Sequence, residues 1–134
     1  ACLVGSEMCI RDRYWGLPSG KIRWGETVTE TALRESLEET GLSADFSVAG
    51  VYHEHVVLEE SSEMIEDKLF FVCHGTNVTG ELLREFEGGK NEWMTFESAM
   101  KKPLRFASFE TEIEILTQRD WLFEQTVVVP KQKF

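Results

Sequence analysis

The sequence is short of positive charge: its 134 residues hold 14 Lys and Arg against 24 Asp and Glu, a formal net charge of −10 at pH 7. Nucleic-acid polymers are held chiefly by Lys and Arg that displace condensed counterions, so such a polymer is excluded as the expected partner. A small phosphorylated ligand bridged by a divalent cation is not. Long apolar runs are also missing. No stretch approaches the roughly 20 residues a helix needs to cross a bilayer, and the N-terminus lacks the charged and apolar regions of a signal peptide. A soluble cytoplasmic protein with no membrane partner is the expectation. Cysteine is scarce: Cys2, Cys9 and Cys73, odd in number and without metal-type spacing, make neither a disulfide framework nor a zinc site. The sequon Asn77-Val78-Thr79 then counts as chance. Repeats, low-complexity tracts and linkers are absent, and the length suits one domain with a single core.

The run "EMCIRDR", Glu7 to Arg13, has no usable periodicity. It resembles translated sequencing adapter, whose frame reads Met-Cys-Ile-Arg-Asp between two codons that Glu7 and Arg13 both satisfy. Residues 1–13 are therefore set aside as a non-native segment, and the domain is taken as residues 14–134. On this reading an opening strand is lost or replaced.

From Tyr14, "YWGLPSGKIRWGE" reads as a short strand and a Gly-supported loop. A helix follows. Thr27 with Glu30 three residues later forms a capping box, and Gly41 suits the left-handed stop. "FSVAGVYHEHVVLE" and "KLFFVCH" read as strands flanking an acidic loop, "EESSEMIED". "TGELLREFEGG" and "NEWMTFE" continue the strand pattern with a break at Gly88 and Gly89. An amphipathic helix from about Phe106 to Phe123 places Phe109, Ile113 and Leu116 on one side. The order predicts an α/β layered domain ending in a helix.

The stretch "RESLEETG" holds Glu35, Glu38 and Glu39, which three- and four-residue spacing brings to one helical face. Like charges there cost about 0.2–0.5 kcal/mol per pair when exposed. Arg34 can offset part of this by pairing with Glu30 and Glu38, as on an ordinary solvated face. A hard divalent cation would offset more, since Mg²⁺ and Mn²⁺ prefer oxygen ligands.

Gly20, five residues, Glu26, seven residues, Arg34-Glu35, then Glu38-Glu39 and Gly41-Leu42 resemble the Nudix box in register, G-x5-E-x7-R-E-U-x-E-E-x-G-U. Ser36 departs from the aliphatic residue expected, which weakens packing of the helix more than its chemistry. The resemblance implies an α/β/α sandwich with a central mixed β-sheet, and hydrolysis of a nucleoside diphosphate linked to another group. It implies Mg²⁺, or Mn²⁺, held by Glu35, Glu38 and Glu39 with a carbonyl of Ser19 or Gly20. Glu35 is the expected general base and Glu38 its competitor, Arg34 orients a glutamate, and Glu26 supports the loop. Lys21 and Arg23 are candidate phosphate ligands. Trp15 and Trp24 are expected to pack rather than to stack on a base.

"GKIRWGET" and "EGGKNEWM" further resemble the 8-oxo-dGTP pyrophosphohydrolase branch, which implies Glu87 as an added metal ligand. His53 and His55 share a strand face and could line the cleft; without a third ligand at suitable spacing they are not expected to bind a metal. The expected substrate is a small-molecule nucleotide, first an oxidised or ordinary nucleoside triphosphate, since no evident N-terminal extension serves dimeric ADP-ribose binding. ADP-ribose, nucleotide sugars and dinucleoside polyphosphates follow. A monomer or homodimer is expected. The rival from another class is a Nudix-fold nucleotide sensor, which usually loses box carboxylates that are all present here.

Overall fold

The computed structural model describes residues 2–8, 13–118 and 121–131. Cys9, the stretch from Ile10 to Asp12, and the end of the expected last helix at 119–120 lie outside the described residues. The elements run β1 (Cys2–Met8), β2 (Tyr14–Gly16), α1 (Val28–Thr40), β3 (Ser43–Leu58), β4 (Met64–Thr79), β5 (Glu85–Phe86), β6 (Gly89–Thr95), α2 (Phe96–Met100), α3 (Ala107–Gln118) and β7 (Leu122–Val129). The class is α/β, and the strands divide between two sheets. One is antiparallel in the order β2-β1-β6-β5. The other is mixed, β4-β3-β7, with β3 and β7 parallel.

Four sequence expectations change. Cys2–Met8, set aside above, forms an interior strand of its sheet, registered on both β6 and β2. The acidic loop shrinks to Glu59–Glu63, because β4 begins at Met64 and the residues of its charged start pair along β3. The last helix stops at Gln118, and the chain returns as β7 rather than ending in a helix. The β-branched run "TVVV" within β7 was the available signal for that strand. The short helix α2, capped by Thr95 and Ser98, was not expected at all.

Helix α3 holds the sheets together. Phe109 and Ile113 pack with Leu3, Trp15 and Met94 of the antiparallel sheet and with Ala99 of α2. Ile115 and its neighbour Leu116 pack with Tyr52, Val72 and Phe70 on the mixed one. The helical stripe expected from Phe109, Ile113 and Leu116 is thus shared between two clusters.

Helix α1 is fixed at both ends by polar contacts. Thr27 is the N-cap, accepting from the Glu30 amide at 3.2 Å, while its hydroxyl donates to the Glu30 carboxylate at 2.9 Å. At the other end Gly41 adopts φ 74° and donates to the Leu37 carbonyl. Ser36 donates to the Leu42 carbonyl at 2.8 Å, and Thr40 to the Ser36 carbonyl at 2.6 Å. The box departure at position 36 therefore makes a hydrogen bond where an aliphatic side chain would only pack. Asn91 of β6 completes the anchor: its amide nitrogen donates to the carbonyls of Glu39 at 2.7 Å and Leu83 at 2.8 Å, and its oxygen accepts from buried Ser6 at 2.6 Å.

Asn91→Ala leaves those three groups without their partner. The expected cost is about 1–3 kcal/mol in urea unfolding, because a buried group left unmade loses more than a hydrogen bond contributes net. A cost near zero would show that water replaces the amide.

Candidate active site

The loop from Leu17 to Thr27 and the helix α1 form one polar unit organised by Arg34. Its Nε and Nη2 grip the two oxygens of Glu26 at 2.5 and 2.9 Å, a fork-to-fork pair. Nη2 also donates to the Lys21 carbonyl at 2.9 Å, and Nη1 reaches Glu35 at 2.5 Å and Glu38 at 3.5 Å. Glu26 accepts further from the Arg23 amide at 3.0 Å and the Thr31 hydroxyl at 2.7 Å. Arg34 and these donors hold the Glu26 carboxyl down at about 2, and the two carboxylates raise Arg34 in turn. Glu26 thereby ties the start of α1 to the Arg23 amide of the loop. The pairing of Arg34 with Glu30 is replaced by Glu26 and Glu35.

Glu35, Glu38 and Glu39 each answer to a different partner. Glu35 lies under Gly20, where a Cβ would overlap the Glu35 carboxylate. Glycine at 20 is thus a requirement of close approach. Glu39 accepts from the Ser19 amide at 3.1 Å, so Ser19 and Gly20 both lie against box glutamates. Glu38 is half exposed, with the exposed Arg23 guanidinium 3.8 Å away. Lys21 is exposed and enters the network through its carbonyl. Among the described residues, only His53, His55 and Asp67 bring three such ligand atoms within 4.8 Å of one another. The three box glutamates share a face without forming so tight a set, and Glu87, exposed at the turn between β5 and β6, does not join one.

Trp15 packs in the core, with Lys102 Nζ 4.1 Å from its ring centre. Trp24 does not pack: it is fully exposed. It occupies a turn with Gly25 at φ 89°, and no described atom lies within 4 Å of where a Cβ on Gly25 would stand. Asn91, which anchors the Glu39 carbonyl, escaped the sequence reading. Its signal was an asparagine, depleted in strands, within the strand-like "NEWMTFE".

The donor set is all oxygen. Burial first, then the charge of Glu35 and of Glu38, push the Glu39 carboxyl up to about 7 against the pull of the Ser19 amide. A hard divalent cation suits such a desolvated, mutually repelling group. The sign for stability follows from linkage. With a folded value above the ordinary 4.5, the native state binds the extra proton, so stability from this group falls as pH rises from 4.5 through 7. Glu112, desolvated beside Ser108 and Glu54, is raised to about 7 and acts in the same direction. Glu26, lowered to about 2, loses its contribution as pH falls below 4.5. In chelator, urea unfolding from pH 5 to 8 should therefore lose less stability in Glu39→Gln than in the parent, and less again when Glu112→Gln is added. An unchanged slope in both variants would show that neither carboxyl is shifted.

The NUDIX domain family model matches residues 3–114. The chain is 26% identical over 95 residues to "Uncharacterized Nudix hydrolase YvcI" of Bacillus subtilis (strain 168), covering 70% of this chain and 59% of that protein. It is 31% identical over 114 residues to the RNA pyrophosphohydrolase of Brucella anthropi, covering 84% and 52%. Its fold is similar to the "Crystal structure of mMutator MutT protein from Bacillus halodurans", with a TM-score of 0.75 at 21% identity over 98% of this chain and 84% of that one. The chain spans between 24% and 59% of the length of the first curated relatives it matches. With the match extending over 3–114 and the box residues in place around α1, the chain belongs to the Nudix family.

Proposed function

We propose that the chain is a divalent-cation-dependent hydrolase of the pyrophosphate linkage of a nucleoside diphosphate bound to a second group. The observation that carries this is the set of contacts that holds Glu35 and Glu38 on Arg34 and Glu39 on the Ser19 amide, beside a glycine-bearing loop. A nucleoside triphosphate, oxidised or ordinary, is the leading substrate, giving a nucleoside monophosphate and pyrophosphate. ADP-ribose and nucleotide sugars are the alternatives, and cytoplasmic action as a monomer or homodimer accompanies the proposal. No described helix is long and apolar enough to cross a membrane. The domain's native sequence is proposed to be residues 14–134, with residues 1–13 a non-native segment even though Cys2–Met8 pairs as β1.

Glu35, Glu38 and Glu39, with a carbonyl of Ser19 or Gly20, are the residues that would hold Mg²⁺ or Mn²⁺, and Glu87 is the candidate from the β5–β6 turn. When bound there, such a cation would neutralise phosphate charge and make water a better nucleophile. The chain's own groups do the rest. Glu35 takes the proton of the attacking water as its oxygen bonds to phosphorus and the bridging P–O bond breaks; Glu38 is the competing base. Arg34 fixes the Glu35 carboxylate, while Lys21 and Arg23 offer cations to the phosphates. Exposed Trp24, next to Arg23 in the loop, is free to stack on a base.

The first test is release of phosphate or pyrophosphate from a panel of dNTPs, 8-oxo-dGTP, ADP-ribose, nucleotide sugars and diadenosine polyphosphates, with and without Mg²⁺. Glu38→Gln should lower turnover about 10²-fold or more, the scale of general-base or preorganised-charge loss. Binding without cleavage by the folded parent would turn the reading to a nucleotide sensor.

Trp24→Ala separates binding from chemistry. On the preferred nucleotide, KM should rise about 5- to 100-fold with kcat nearly unchanged, as loss of one stacking contact predicts. An unaltered KM would return Trp24 to the status of a plain exposed loop residue.

A further inference from the structure

The solvent face of the mixed sheet carries donors that the box does not use. On β3, Tyr52, Glu54 and Val56 are buried, so the alternating His53 and His55 face outward. Strand register then sets Asp67 of β4 opposite His55 and Glu124 of β7 opposite His53. His53 Nε2 lies 2.7 Å and His55 Nε2 3.4 Å from the same Asp67 oxygen, and the two rings meet edge to face with centres 4.5 Å apart.

We propose that His53, His55 and Asp67 form a second metal site, separate from the box glutamates and suited to a borderline transition ion such as Zn²⁺. Two imidazoles and one carboxylate are the donor chemistry that Zn²⁺ accepts and Mg²⁺ declines in favour of all-oxygen sites. The spacing agrees. Bonds of about 2.0–2.2 Å in a tetrahedron place ligand atoms about 3.3 Å apart; here two pairs stand at 2.7 and 3.4 Å, and all three atoms lie within 4.8 Å.

A second feature points the same way. His53 turns Nε2 toward Asp67 while its Nδ1 stands 3.9 Å from the Glu124 carboxylate. A histidine ligand is commonly oriented by a carboxylate behind its other nitrogen, and a modest closure brings Glu124 into that role. The donors are partly exposed, with His53 and His55 near one third and Asp67 at 59%, so at least one coordination position faces solvent. Zn²⁺ here joins β3 to β4, and through Glu124 draws in β7. The third ligand was invisible in the sequence because Asp67 is brought to the pair by cross-strand register, not by short spacing.

The test uses the full chain in excess Mg²⁺, which occupies oxygen-only sites, with Zn²⁺ titrated by calorimetry and the bound ion examined by X-ray absorption. One tight Zn²⁺ per chain is expected, with imidazole scattering and no sulfur, which separates the site from Cys73. His55→Gln and Asp67→Asn should each weaken binding about 100-fold or more, and Glu124→Gln about 10-fold, the scale of an outer orienting group. These are surface side chains, and far-ultraviolet circular dichroism verifies that each variant is folded. Equal Zn²⁺ affinity in parent and His53→Gln/His55→Gln, or sulfur in the absorption spectrum, overturns the proposal and leaves His53–Asp67 as a cross-strand hydrogen bond. The readout is independent of hydrolysis, so its failure does not bear on the box.

Discussion

Three carboxylates on one helical face repel one another, and the arrangement of this domain around α1 is the answer to that repulsion. Among the described residues, Arg34 alone has a side chain that touches Glu26, Glu35 and Glu38 together. Its fork-to-fork grip on Glu26 fixes the guanidinium plane, and a fixed plane aims the remaining nitrogen at Glu35. A lysine at this position would supply charge without a rigid fork, so the glutamates would lose their orientation even with the charge balance kept. The same guanidinium binds the Lys21 carbonyl, so the loop that bears Gly20 is positioned by the residue that positions Glu35. Loop and helix therefore form one unit.

That unit needs a foundation, and the sheet supplies it at the helix C-terminus. The last carbonyls of a helix have no partner within it. Here Gly41, Ser36, Thr40 and Asn91 arrange partners for that end, and the Leu83 amide donates to the Thr40 carbonyl at 2.8 Å. Because Asn91 holds the carbonyl of Glu39 itself, the backbone of a candidate ligand is tied directly to β6, and through Ser6 to β1. A polar anchor suits this purpose better than a purely apolar one, since hydrogen bonds fix rotation and height where apolar packing tolerates sliding. Ser36 is consistent with that choice.

The local grammar was legible where it is written in consecutive residues. Thr27, the one-face glutamates, the left-handed Gly41 and the strand at Tyr14 follow from spacing or backbone preference, and the structure has them. What the sequence hid was register and exposure. "TVVV" lay beyond a helical pattern that was extended too far, and "MIED" looked like loop because charge outweighed its place in a two-residue alternation. A tryptophan's residue type speaks for burial on average and says nothing of a turn that leaves Trp24 fully exposed. Asn91 and Asp67 gain their partners from strands 85 and 14 residues away in sequence, at Ser6 and His53, distances over which periodicity carries no information.

Strand β3 shows how much rests on that register. Between two irregularities, at Val48/Gly50 and at Val56/Val57, it pairs with β4 without interruption. Within this stretch Tyr52 and Val56 go to the interior, with Glu54 accepting the Tyr52 hydroxyl at 2.8 Å, while His53 and His55 go to solvent. A slip of one residue would exchange the two sets, burying imidazoles against Ile115 and exposing a tyrosine that is wholly buried. The apolar contacts of Tyr52 with α3 therefore do more than fill the core: they select the register that gathers His53, His55 and Asp67 on one face. The outer donors are thus positioned by the inner packing, as the box glutamates are positioned by Arg34 and Asn91. In both places the candidate donors are set by residues outside the donor set.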